Sequence, residues 1–157
     1  MFKLIFFCVG KHKMPYVEQG ILDYEKRLYP FCKCEWQFVR EMRASSSNEK
    51  ESIAKESELL VGKLAGSKAH HILLDIKGKA MASDQFAHWL QGFVLENRVP
   101  AFIIGGAAGV DLARLQPHIH DRLSLSGMTF NHVLVRLMLM EQLYRAYTII
   151  VGKPYHK

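Results

Sequence analysis

Residues 71–109 read HILLDIKGKAMASDQFAHWLQGFVLENRVPAFIIGGAAG. His71 to Ile76 is a short apolar run suited to a buried strand, and Lys77-Gly78-Lys79 after it reads as a turn. Ser83 stands where a helix cap belongs. Phe86, Trp89, Leu90, Phe93 and Val94 then recur at i, i+3, i+4, i+7 and i+8, one apolar stripe along a helix. Pro100 interrupts, and Ala101 to Ile104 is a second all-apolar strand running into Gly105-Gly106. Strand, helix and strand in succession make a βα alternation. Strands apolar on both faces belong in a parallel sheet covered on both sides.

The flanks extend the same pattern. Phe2 to Val9 reads as a strand ending at Gly10; Lys3 and the lack of a small-residue cleavage site separate it from a signal peptide. Pro15 fits the first turn of a helix that carries Val17, Ile21, Tyr24 and Leu28 at helical spacing, and Pro30 ends it. Cys34 to Val39 is a further strand. The span 42–50 holds Ala44-Ser45-Ser46-Ser47-Asn48 and reads as a loop, with Ser47 and Asn48 as good caps. Residues 49–64 suggest a solvent-facing helix with Ile53, Leu60 and Leu64 on one side. The polar segment 41–52 is the best candidate for mobility, but it is no domain boundary, because neither side would be a viable domain alone.

Beyond residue 109 come a short helix, Asp111 to Leu115, and a strand near Asp121 to Leu125. The last helix, Asn131 to Tyr147, is apolar on most of its circumference; its polar members are Arg136, Glu141, Gln142 and Arg145. A helix apolar all round is buried on more than one side, and in so small a chain the second cover is expected from another subunit. The expectation is one α/β domain over residues 1–157, with a mainly parallel sheet flanked by helices.

Composition narrows the class. A chain of 157 residues with 49% hydrophobic and 23% charged residues can bury a core and is not a disordered tail. No apolar run approaches the ~20 residues of a membrane span. The net charge of +6 favours a polyanionic partner. Residues 1–43 hold eight bases and five acids, residues 44–117 eight of each, and residues 118–157 five bases and two acids, so the excess sits at the two ends. Three cysteines, Cys8, Cys32 and Cys34, make no disulfide framework and read as buried thiols of a reducing cytoplasm.

Three groups of residues bear on chemistry. Gly105-Gly106-Ala107-Ala108-Gly109 follows a strand, where glycines let a ligand approach the backbone. It is neither the G-x-G-x-x-G fingerprint nor a P-loop, which argues against a nicotinamide oxidoreductase; read alone, it serves equally as a tight ligand-free connection. Ser124-Leu125-Ser126-Gly127-Met128-Thr129-Phe130 leaves room for a flat ligand, though by itself it reads first as a helix-capping loop. His132, Arg136, Arg145, Tyr155, His156 and Lys157 are late polar residues. Arg136 would pair with Glu141 across subunits or touch substrate, and the tail would stack on a base and touch phosphate or simply fray. His70-His71 and His118-x-His120, the latter read on a strand, lack a third ligand, so no metal is expected.

In order, Val9-Gly10-Lys11, Tyr24-Glu25-Lys26-Arg27-Leu28, Leu74-Asp75-Ile76-Lys77-Gly78-Lys79, Ile104 to Gly109, Ser124 to His132, Val135-Arg136, Glu141 to Ala146 and Pro154-Tyr155-His156-Lys157 resemble the RlmH family of SPOUT-class methyltransferases along the whole chain. The resemblance implies S-adenosylmethionine as methyl donor and N3 of a pseudouridine in 23S ribosomal RNA, on the assembled ribosome, as acceptor. It implies a cytoplasmic homodimer whose C-terminal segment passes through a trefoil knot. By position it places the cofactor at Leu74, Gly105, Leu125, Ser126, Gly127, Met128, Thr129 and Phe130. Arg136, Tyr155 and His156 become substrate-binding candidates, with His156 also the candidate catalytic base. Asn131 departs from the proline usual before His132; an asparagine cap should keep the loop, but looser. Two alternatives remain: a SPOUT enzyme acting on another RNA such as transfer RNA, and a non-catalytic RNA- or ribosome-binding α/β module.

Overall fold

A computed structural model describes residues 1–43 and 47–157. Five strands form one sheet in the order β2-β1-β4-β3-β5, and every pairing is parallel. The strands are β1 (Phe2–Val9), β2 (Cys32–Val39), β3 (His70–Ala80), β4 (Pro100–Ile104) and β5 (Asp121–Ser124). The helices are α1 (Pro15–Leu28), α2 (Glu49–Ala65), α3 (Ser83–Leu95), α4 (Leu112–Leu115) and α5 (His132–Ile150). The α/β reading with helices on both faces therefore holds. The mobility expected of 41–52 falls in part on 44–46, which lie outside the described residues.

Period-two alternation sorts the strands between two cores. Leu4, Phe6 and Cys8 of β1 and Phe102 and Ile104 of β4 face α1, α3 and α5. Phe7, Val9, Ala101 and Ile103 face the other way, onto Leu60 and Leu64 of α2 and Leu115 of α4. Helix α2 is thus not simply solvent-facing: Ser52, Glu56, Ser57, Leu60 and Leu64 form a buried face.

Four local expectations need correction. Lys77-Gly78-Lys79 is no terminal turn but a bulge inside a longer strand: Leu74 and Lys79 both pair with Leu123 of β5. Asp75 Oδ1 accepts from the Lys77 N–H at 3.0 Å, an Asx-type turn that the periodicity of the strand conceals. Gly78 is required there, since a Cβ would lie 2.7 Å from backbone atoms of Arg122 and Leu123. Second, Ala82 and not Ser83 occupies the N-cap of α3. The Gln85 side chain caps it by accepting from the Ala82 N–H at 2.9 Å, while Ser83 Oγ donates to Gln142 Oε1 at 2.7 Å and ties α3 to α5. Third, His118 ends a single 3-10 turn and His120 precedes β5, so neither lies on a strand. Fourth, no residue of α5 is left fully exposed within the chain, because α1 and α3 pack along it. Much of the second cover expected from another subunit comes from the chain itself.

Candidate active site

The carboxyl ends of β3, β4 and β5 open onto one cavity of about 530 Å³, a size typical of small-molecule sites. Ligands of open α/β sheets bind at this end of the strands, where loops and backbone groups converge. Leu74 reaches the cavity from β3, Gly105 from the end of β4, and Leu125, Ser126, Met128, Thr129 and Phe130 from the β5–α5 loop. Gly127 belongs to that loop without lining the cavity.

Each wall has a local cause. The Gly109 N–H donates to the Gly106 carbonyl at 3.0 Å, and Gly109 has φ +87°, a left-handed conformation that closes the turn after β4. Across the cavity, Ser126 Oγ accepts from the Met128 N–H at 3.0 Å, and Ser124 Oγ donates to the Ser126 carbonyl at 3.0 Å, holding the second loop. Asn131 then caps α5: its Oδ1 accepts from the N–H groups of Val133 at 2.9 Å and Leu134 at 3.4 Å. The helix start that proline commonly presets is here set by a side-chain cap. Ile76, Met128 and Phe130 stay exposed at the cavity mouth, an apolar rim suited to a planar base.

Sequence reasoning missed several lining residues, Asp75, Ala107, Val110, His132 and Val135 among them. The motifs that carry the resemblance already contained most of them; the signal was present but unweighted. Asp75 is held by Arg122, whose Nε lies 3.0 Å from Oδ2. Burial would raise its carboxyl, but the Lys77 N–H and the Arg122 guanidinium outweigh burial and keep it below the usual carboxylate range. His132 is half-buried, and its Nδ1 finds no hydrogen-bond partner among the described residues. Burial, with Arg136 and Lys13 nearby, lowers its pKa against the opposing pull of Glu41, 3.9 Å away. It stands neutral at pH 7.

Arg136 has no exposed surface. Its Nη2 donates to the Val9 carbonyl at 2.7 Å and its Nη1 to the Gly10 carbonyl at 2.9 Å. The partner anticipated for it, Glu141, is instead engaged by Arg145 within the same helix. Arg136 thus bolts the end of β1 to α5, and Glu141 accounts for none of its charge within the chain.

The tail forms a separate cluster. Tyr155 donates to Glu141 Oε1 at 3.2 Å and lies 3.5 Å from the Tyr24 hydroxyl. Arg145 packs 4.8 Å over the Tyr155 ring and donates to His156 Nδ1 at 3.3 Å. Neither Tyr155 nor His156 lines the carboxyl-end cavity within one chain. The histidines do meet, but as mutual partners: the His71 N–H donates to His120 Nδ1, His71 Nδ1 is bound to the His118 carbonyl, and His70 Nε2 pairs with Asp121. Among the described residues no cluster of three or more histidine, cysteine or acidic side chains is placed to hold a metal. No described helix is long and apolar enough to cross a membrane.

Comparison with known proteins bears on this arrangement. Residues 2–156 match the family model described as "Predicted SPOUT methyltransferase". The chain is 38% identical over 160 residues to the ribosomal RNA large subunit methyltransferase H of Streptococcus equi subsp. zooepidemicus, covering 99% of both chains. It is 39% identical over 166 residues to the protein of the same name from Desulforamulus reducens, covering 100% of both. The crystal structure of TrmJ from Z. mobilis ZM4 superposes with a TM-score of 0.55 at 10% identity, over 94% of this chain and 70% of that one, a likeness of fold alone. With a parallel sheet, a loop-walled cavity at its carboxyl end and relatives matched from end to end, this chain belongs to the SPOUT methyltransferases, in the RlmH family.

Proposed function

We propose that the protein methylates N3 of a pseudouridine in 23S ribosomal RNA, on the assembled ribosome in the cytoplasm, with S-adenosylmethionine as donor and as a homodimer. The observation that carries this reading is the convergence of Leu74, Gly105 and the β5–α5 loop on one cavity, in a chain whose full-length relatives are named for ribosomal RNA methylation.

The lining fits the donor by its chemistry. Leu73, Ile104 and Leu125 offer apolar walls for an adenine, and the two loops present backbone N–H and carbonyl groups for its edge. When bound, S-adenosylmethionine supplies an electrophilic methyl group on a sulfonium. The protein's part is to hold two reactants in line, which is the dominant contribution in such a transfer. The exposed ring of Phe130 and the side chain of Met128 would receive the target base at the cavity mouth.

His156 takes the proton that leaves N3 in this reading. While Arg145 donates to its Nδ1, the acceptor lone pair of the ring is engaged, so the tail must leave Arg145 before the imidazole acts as a base. Tyr155 then stacks beside the target nucleotide. Arg136 works from inside: by fixing Val9 and Gly10 to α5 it positions His132 and the loop ahead of it. Tail and cavity lie apart within one chain, which supports a site completed across two subunits. The trefoil passage of the C-terminal segment follows from the same family reading.

The test is methyl transfer from labelled S-adenosylmethionine to assembled ribosomes, free subunits and transfer RNA, with calorimetry of donor binding. The expected result is donor binding and label in 23S RNA of assembled ribosomes. Label in transfer RNA alone would overturn the substrate, and absence of donor binding would leave only an RNA-binding module.

A further inference from the structure

A second cavity, of about 570 Å³, lies at the other end of the sheet. Its walls are Lys3 and Ile5 of β1, residues 67–70 leading into β3, residues 97–99 leading into β4, and His120 ahead of β5. Because all strands are parallel, this is their amino end, about 17 Å along β4 from the carboxyl-end cavity at ~3.3 Å per residue.

The lining carries Lys3, Lys68, His70, Arg98 and His120 and no carboxylate. The acidic partners stand behind it: Glu35 is 3.0 Å from Lys3, Glu96 is 2.6 Å from Arg98 and Asp121 is 2.6 Å from His70. Lys68 has no such partner among the described residues. Arg98 is held from three sides. Its Nε donates to Glu96, its Nη1 donates to His70 Nδ1 at 3.1 Å, and its guanidinium packs 4.7 Å over the Phe93 ring. Since His70 Nδ1 accepts, its proton sits on Nε2 and goes to Asp121. His120 Nδ1 accepts the His71 N–H at 2.9 Å, which leaves Nε2–H of that ring as a donor. A pre-set guanidinium, an ammonium and an imidazole N–H around a concave space with no lining anion are the donor set of a phosphate group.

We propose that this amino-end cavity binds a backbone phosphate of the RNA substrate, an anchor remote from methyl transfer. The proposal rests on the reading that the substrate is RNA. A chain with a net charge of only +6 gains affinity without crowding its catalytic end if part of that charge is gathered where no chemistry occurs.

The experiment compares the wild type with Lys68→Gln, Arg98→Lys and the double variant Lys68→Gln/Arg98→Gln. Fluorescence anisotropy reads their affinity for a labelled 23S RNA fragment across a range of potassium chloride concentrations. S-adenosylmethionine affinity checks the fold. The double variant should bind RNA about tenfold more weakly, and its log–log salt slope should be shallower by about 2, one for each phosphate-facing cation lost. Should the double variant lose donor binding through misfolding, exposed Lys68→Gln alone decides, with a slope shallower by about 1. Arg98→Lys should fall between the wild type and the double variant, because it keeps the charge without the fork. Unchanged affinity and slope overturn the anchor. Inorganic phosphate, titrated in parallel, separates the sources: variants that lose phosphate binding but keep RNA affinity show a free-phosphate site and also overturn it. If the wild type methylates no RNA while the double variant still loses RNA affinity, the proposed reaction fails and the anchor stands.

Discussion

Arg136 shows how a single residue can look functional for a structural reason. A charge in an apolar helix demands a partner, and here the partners are two backbone carbonyls at the end of β1. Arg136→Met should lower stability by about 3 kcal/mol, because it strands two buried acceptors. A shift in the urea midpoint at constant slope measures it, and a loss below about 1 kcal/mol would mean that water reaches those carbonyls. The same burial acts on its neighbours. The pKa of His12 is pushed down to about 4 by burial and by Arg136, and those of His71 and His132 are lowered as well, chiefly by burial. Between about 6.5 and about 4 the unfolded chain binds a proton at His12 that the folded chain refuses. Stability is therefore intact above that window and falls as pH drops through it. Thermal unfolding from pH 7 to 4.5 should show this fall, and His12→Gln should make it shallower; an equally steep fall would assign it to other groups.

At the scale of the element, the start of α5 and the bulge of β3 decide the shape of the cavity. Asn131 has φ −54° and ψ 133°, backbone angles that proline also adopts. Asn131→Ala should cost about 1 kcal/mol through loss of the cap, and Asn131→Pro should recover part of that by presetting the backbone. Denaturant unfolding of the three proteins gives the order wild type, Pro, Ala; an alanine variant as stable as the wild type would show the cap to be idle. Helix positions were readable from apolar spacing because a helix face repeats over many residues. The bulge at 75–78 was not, because it comes from one Asx contact and from the closeness of β5, a strand far away in sequence.

At the scale of the molecule, the two halves of the proposed site lie apart in one chain. The cavity is walled by residues 73–76, 104–112 and 123–135, while Tyr155 and His156 lie against Glu141 and Arg145. If each site joins the cavity of one subunit to the tail of the other, two inactive variants should complement. Ser126→Trp, which fills the cavity, mixed with His156→Ala after subunit exchange should restore about a quarter of wild-type methylation, as half the dimers are mixed and each holds one intact site. No restoration, in a mixture shown to contain mixed dimers, would place each site within a single chain.

The sequence by itself determined the class of the fold, the parallel sheet and the family. These rest on local apolar periodicity and on ordered motifs, which are properties of neighbours along the chain. Only the tertiary structure decided which polar residues share a space. It sent Arg136 inward to the end of β1, turned the histidines onto one another and gathered the cations of the amino-end cavity from strand ends up to 117 residues apart, from Lys3 to His120. The reason is physical: a charged side chain takes its role from what surrounds it, and in a parallel sheet those surroundings come from separate crossovers that no spacing along the chain encodes.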